Sequence, residues 1–255
     1  MLKILLRLSR QSAVCIEPAN IYLTRDQSRR VDEKAMAAGI EGLTLMENAG
    51  RGCVQVLRDH DIQSAVICTG VGNNAGDGFV IARLLSEAGI PVKIIMTCRP
   101  ERLVGDALSN YQRVRQLSLP TMQLDERCED STIRSALKTV DGILTDWIVD
   151  ALLGTGASGN PRPPMDCLIR LANACPARKL AVDIPSGLDC ETGQPGEPTL
   201  QAELTCTFVT PKIGFRQVSA RKYLGHVHVI DIGVPPGIVA AIARGADSDG
   251  THHAG

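Results

Sequence analysis

Four short stretches carry chemically able side chains, and in the first three glycines let a backbone approach a ligand. They are Gly70-Val71-Gly72-Asn73-Asn74-Ala75-Gly76-Asp77-Gly78, Gly154-Thr155-Gly156-Ala157-Ser158-Gly159, Asp183-Ile184-Pro185-Ser186-Gly187-Leu188-Asp189 and Thr210-Pro211-Lys212. Each follows an apolar run. The first opens a helical pattern, and a helix start exposes unpaired N–H groups with roughly half an elementary positive charge. A phosphate fits there, and glycine allows its close approach. Asn73, Asn74 and Asp77 bring more amide and acid groups to one turn than strand–helix packing needs. The GTGASG turn can cradle a second anion by the same backbone argument, or be a flexible surface loop.

Acids at the ends of apolar runs have no core role. Asp150 either caps a neighbouring backbone or binds a cation, and Asp183 occupies the matching place one strand later. Pro185 and Gly187 lock the turn behind Asp183, which suits a rigid carboxylate doing catalysis or binding. Asn74, Asp150 and Ser186 offer hard oxygen ligands with one negative charge among them. That charge is low for Mg²⁺ or Ca²⁺ and suits a monovalent ion such as K⁺. Lys212 orients a ligand or touches phosphate, or is simply solvated. His226 and His228 alternate along a strand and read as ordinary histidines.

Other chemistries lack their signatures. Gly70-x-Gly72-x-x-Ala75 fits the dinucleotide fingerprint formally, but the next strand, PVKIIMTC, has no ribose-binding acid and is followed by Arg99. That disfavours an ordinary NAD dehydrogenase. Ser186 lacks the G-x-S-x-G elbow, and no G-x-x-x-x-G-K-[ST] loop exists. None of the nine cysteines forms a C-x-x-C pair, so zinc and dithiol readings have no support and a reducing, cytoplasmic setting is expected. A net charge of −1 and 3% aromatic residues make nucleic acid an unlikely partner. No apolar run reaches the roughly 20 residues that a membrane helix needs.

These turns must be carried by alternating strands and helices. Thr24-Arg25-Asp26-Gln27 matches a capping box, with Val31, Ala35 and Ala38 at helical spacing behind it. A second helix is predicted from about Thr44 to His60. SAVICTG, PVKIIMT, GILTDWIVDALLG, KLAVDIPSG, ELTCTFVTP and GHVHVIDIG read as strands. GDGFVIARLLSEAG, ALSNYQRVRQL, TIRSALKTV and CLIRLANAC read as helices. The alternation predicts an α/β, doubly wound, mostly parallel sheet with helices on both faces. Ligands then bind at the strands' carboxyl ends, where all four turns converge. Residues 1–20 read as an extension, with a transit peptide as the compositional alternative. Residues 21–240 read as one domain and 241–255 as a flexible tail.

YLTRDQSRRVDEKAMAAGIEGLTLMENAGR, GVGNNAGDGFVIARLL, VDALLGTGASG, VDIPSGLDCETG and TFVTPKIG together resemble the NAD(P)HX epimerases, the YjeF N-terminal-domain family. The resemblance covers about residues 21–237. It implies a Rossmann-like, three-layer α/β/α fold, usually homodimeric. It also implies epimerisation of hydrated NADH and NADPH (NADHX and NADPHX) with bound potassium, K⁺. By position, Asn73, Asn74, Ala75, Gly76 and Asp77, then Gly154, Thr155, Gly156, Ala157, Ser158, Gly159 and Asn160, and Asp183 would contact NAD(P)HX. Asn74, Asp150 and Ser186 would bind potassium. Where the family usually has glycine this chain has Ala75, which resists positive φ and so must use negative φ or shift the loop. Some relatives fuse this domain to a dehydratase; here a separate dehydratase is the expected functional partner.

Epimerisation is acid–base work. The hydrate's C6 hydroxyl sits beside the ring nitrogen, so loss of water leaves a nitrogen-stabilised cation that water can attack from the other face. Asp183 is the expected proton carrier. The competing reading is a non-catalytic scaffold binding protein or RNA, which would not need an intact site.

Overall fold

The computed structural model describes residues 21–139 and 141–245. The expected extension at 1–20 lies outside the described residues, as does most of the expected tail. Thr24 caps the first helix, α1 (Arg25–Ala37). Gln27 N donates to Thr24 Oγ1 (3.1 Å), and Thr24 N donates back to Gln27 Oε1 (3.0 Å), completing the capping box. There follow α2 (Gly42–Asp59), β1 (Ala65–Thr69), α3 (Asn73–Glu87), β2 (Val92–Met96), α4 (Gly105–Gln116), β3 (Thr121–Gln123) and α5 (Asp130–Ala136). Then come β4 (Trp147–Ala151), α6 (Met165–Ala174), β5 (Arg178–Val182), β6 (Leu204–Phe208), α7 (Arg221–Leu224), β7 (His226–Ile230) and α8 (Pro236–Ala243).

The strands form one seven-stranded sheet ordered β3-β2-β1-β4-β5-β6-β7, and every pair is parallel. This is the doubly wound arrangement that the alternation predicts, with no antiparallel strand among the described residues. Strand residues divide by the pleat. Ile67, Ile94, Val149 and Val182 face the α2–α3–α4 layer, whereas Val66, Ile95, Ile148 and Ala181 face α5 and α6. Three layers result. A third apolar cluster joins α1 to α8 through Val31, Ala35, Val239 and Ile242.

Two elements differ from expectation. β3 has only three residues and pairs at the sheet edge, too short for any alternation to show. α8 carries helix to Ala243 with Ile242 fully buried, so the end of the domain lies beyond residue 240. Strand order reverses between β1 and β4, and the crevice at that switch point is where ligands bind in such sheets. Close packing there explains two glycines. A Cβ on Gly70 would strike the Leu152 carbonyl oxygen, and one on Gly78 would lie 2.7 Å from Ala151 Cβ.

Candidate active site

α3 begins at Asn73, three residues earlier than its helical pattern predicts, with Gly72 as an uncapped N-cap. The NNAGDG stretch is therefore the helix's opening turns and not a loop. Ala75 lies inside it, fully buried, and is not among the residues with positive φ. The negative-φ alternative for that alanine is the one realised. Asn73 is exposed at the helix start, while Asn74, Gly76 and Asp77 are buried.

The ends of β5 and β6 repeat one backbone device. Asp183 has φ 64° and Val209 has φ 65°. In each case the next N–H closes onto the preceding carbonyl, Ile184 N to Val182 O (2.8 Å) and Thr210 N to Phe208 O (2.7 Å). These are strained γ-turns, since side chains disfavour that region. Backbone strain of this kind is held by surrounding structure and clusters at functional sites. Here it turns Asp183 into a cleft at the sheet edge.

Asp183 is used asymmetrically. Lys212 Nζ lies 2.7 Å from Oδ1, and Thr207 Oγ1 and Phe208 N each donate to that same oxygen at 3.3 Å. No described group bonds Oδ2. Lys212 is 3% exposed, and its remaining protons go to the carbonyls of Phe208 (3.1 Å) and Thr210 (3.3 Å). Lys212 is thus a buried counter-ion and not a solvated lysine.

The cleft encloses about 760 Å³ of empty space, part of it open to solvent. Asp32, Asp77, Asn73, Thr155, Asp183 and Lys212 are among its lining residues. Burial, then the charges of Asp183 and Asp32, push the Asp77 carboxyl well above the usual range. Loss of solvation between the cleft walls, then the charge of Asp183, raises Asp32 to about 6, with Lys212 opposing. Asp32 was not anticipated. Ser28, Asp32 and Met36 stand four residues apart on α1 and all line the cleft.

Asn74, Asp150 and Ser186 come together behind this cleft. Asp150 is 1% exposed. Ser186 Oγ donates to its Oδ1 (2.7 Å), Ser186 N to its Oδ2 (2.8 Å) and Leu152 N to its Oδ1 (3.2 Å). Leu153 N donates to Ser186 Oγ (2.9 Å), and Asn74 Nδ2 donates to Leu153 O (3.1 Å). The carboxylate caps the loops after β4 and β5, and no ion pair reaches it among the described residues. Burial raises Asp150 to about 6 against the hydrogen bonds from Ser186 and Leu152.

The 154–160 turn contributes less to the cleft than expected. Thr155 lines it. Gly154 and Ala157 are half-buried, whereas Gly156, Ser158, Gly159 and Asn160 are exposed. Asn160 Oδ1 accepts from Glu197 N (3.0 Å), tying this turn to the loop before β6.

Residues 42–214 match the family model described as YjeF-related protein N-terminus. The chain belongs to this family. It is 42% identical over 225 residues to the protein named NAD(P)H-hydrate epimerase of Pirellula staleyi, covering 86% of this chain and 95% of that one. A second protein of that name, from Rhodopirellula baltica, is 38% identical, with 84% of each chain covered. The bifunctional NAD(P)H-hydrate repair enzyme Nnr of Salinibacter ruber is 34% identical, and this chain spans 39% of its length. The crystal structure of yeast ynu0, YNL200c, superposes with a TM-score of 0.66 at 20% identity, covering 82% of this chain and 86% of that one, which supports the fold.

Proposed function

We infer that this chain is an NAD(P)H-hydrate epimerase, interconverting the R and S forms of NADHX and NADPHX. The carrying observation is the unevenly bonded Asp183, in a chain whose similar relatives bear that name. Three donors hold Oδ1 still, and Oδ2 is left to face substrate. In the reaction the C6 hydroxyl leaves as water, a cation forms on the ring, and water returns to the other face. Asp183 carries the proton at C6 and its charge stabilises the cation. Lys212, 2.7 Å from Oδ1, fixes the Asp183 carboxyl in position.

The charges along the cleft divide the substrate between two ends. The uncapped start of α3 offers amide hydrogens to phosphate, with Asn73, Asn74, Ala75, Gly76 and Asp77 around it. The Gly154–Asn160 turn lies beside it, with Thr155 as its nearest wall. The end with Asp32 and Asp183 suits the ring that becomes cationic.

Asn74, Asp150 and Ser186 fit K⁺. Asp150 is a buried carboxylate whose charge no described cation balances, and the neighbouring donors are neutral oxygens. Bound there, K⁺ would neutralise Asp150 and stiffen the joined loops. The sharing of the site by α3 and the loops after β4 and β5 is what those residues themselves supply.

We propose that the chain forms a homodimer and works together with an NAD(P)HX dehydratase activity. A cytoplasmic location is supported by eight free cysteines among the described residues. The domain is read as running from residue 21 to at least Ala243. The test is to supply purified R epimer and follow its conversion. The account predicts approach to one R/S mixture from either epimer, much faster than without protein. Spontaneous rates in the presence of protein would overturn it.

A further inference from the structure

Inversion at C6 has a geometric demand that one carboxylate does not meet. Water leaves from one face of the ring and returns to the other, so a proton must be given on one side and taken on the opposite side. Asp183 reaches the cleft from the sheet edge, fixed through Oδ1 by Lys212, Thr207 and Phe208 N. It cannot swing across a ring lying in the cleft. The second face needs its own group.

We propose that Asp32, on α1, is a second catalytic acid–base residue, serving the ring face opposite the one served by Asp183. This rests on the epimerase reading. Asp32 lines the cleft from the α1 wall, and Ser28 and Met36, one turn to either side, line it too. It has no hydrogen bond or ion pair among the described residues. It is open to solvent at the mouth, so it exchanges protons with bulk water, whereas Asp77 is buried. Loss of solvation against the cleft wall, and then the charge of Asp183 across the cleft, keep a proton on Asp32 to a higher pH than an isolated aspartate would. α1 also precedes the segment matched by the family model, so the proposed second group comes from outside it.

The steps balance. Asp32 as the acid gives its proton to the C6 hydroxyl, the C6–O bond breaks and water leaves. The ring nitrogen's lone pair closes to C6 as an iminium. Water on the other side adds to C6, the iminium electrons return to nitrogen, and the water's proton passes to Asp183. In the opposite direction the two carboxyls exchange roles. Between turnovers Asp32 takes up a proton from solvent at the open mouth and Asp183 releases the proton it gained to water in the cleft.

The experiment runs each pure epimer in ¹⁸O-water with wild type, Asp32→Asn and Asp32→Glu. Wild type should invert the centre with one ¹⁸O gained per inversion. Asp32→Asn should lose about 100-fold or more in the kcat for inversion, with KM changed little. It should still exchange ¹⁸O into one epimer without inverting it, because Asp183 can expel and return water on its own face. Asp32→Glu should recover part of the inversion. Inversion at the wild-type rate in Asp32→Asn would overturn the proposal. So would equal loss of inversion and same-face exchange in a variant that folds normally. If wild type inverts neither epimer, the epimerase reading itself falls and the role of Asp32 falls with it.

Discussion

Lys212 Nζ sits 2.7 Å from Asp183 Oδ1, with both side chains held on consecutive strand ends and little of either exposed. The pair joins the turn after β5 to the segment after β6. It also sets one positive charge among the four cleft aspartates, Asp32, Asp77, Asp106 and Asp183.

Removing that charge should be costly. Lys212→Met leaves Asp183 buried without its partner, and breaking a buried pair this way costs about 3–5 kcal/mol. Urea unfolding measures it. A loss under about 1 kcal/mol, typical of exposed pairs, would contradict the account.

Asp77 makes stability depend on pH. Its carboxyl keeps its proton in the folded chain at pH values where the unfolded chain, with an ordinary pKa of about 4, has released it. The unfolded state then binds fewer protons, so stability falls as pH rises above that value, by up to about 1.4 kcal/mol per unit. Asp77→Asn removes this slope. Its melting temperature should gain on wild type steadily from pH 5 to pH 8. A gain that does not vary with pH would mean that Asp77 ionises normally.

Potassium should bind the folded chain through Asn74, Asp150 and Ser186. Exchanging tetramethylammonium for K⁺ at constant ionic strength should raise the melting temperature, with about 1.4 kcal/mol gained at tenfold the dissociation constant. Asp150→Asn and Ser186→Ala should each lose the rise. An unchanged melting curve for wild type would remove K⁺ from the site.

Gly70 and Gly72 separate packing from sequence pattern. A Cβ at Gly70 meets the Leu152 carbonyl, whereas one at Gly72 meets nothing within 4 Å. Gly70→Ala should cost about 1–3 kcal/mol through overpacking, and Gly72→Ala about 0.5 kcal/mol or less. Equal costs would refute the close approach of the β1 and β4 turns.

Much of this was readable from the chain. Apolar runs ending in Gly70, Asp150 and Asp183 mark the carboxyl ends of buried parallel strands, where the structure packs the β1 and β4 turns together, caps the loops with Asp150 and turns Asp183 into the cleft. Ser186 and Asn74 could be paired with Asp150 once the strands were known to be parallel. Asp32 could not be read this way. In RDQSRRVDEKAMA it is one charge among many on a helix, and only the tertiary position of α1 turns it toward the cleft. Lys212 was ambiguous because its burial comes from the packing of Leu23 and the segment after β6, which are distant in sequence. The 154–160 turn stayed open to two readings, since glycines that permit an anion cradle equally permit an exposed loop; Thr155 lines the cleft, whereas Gly156, Ser158, Gly159 and Asn160 are exposed.

The most direct test is turnover by Asp183→Asn. Asparagine tolerates positive φ and keeps the side chain's shape, so the variant should fold with the wild-type circular dichroism spectrum. The account predicts that conversion of pure R epimer to S falls by about 10²–10⁴, with substrate still bound. A folded Asp183→Asn protein that inverts C6 at the wild-type rate would contradict it.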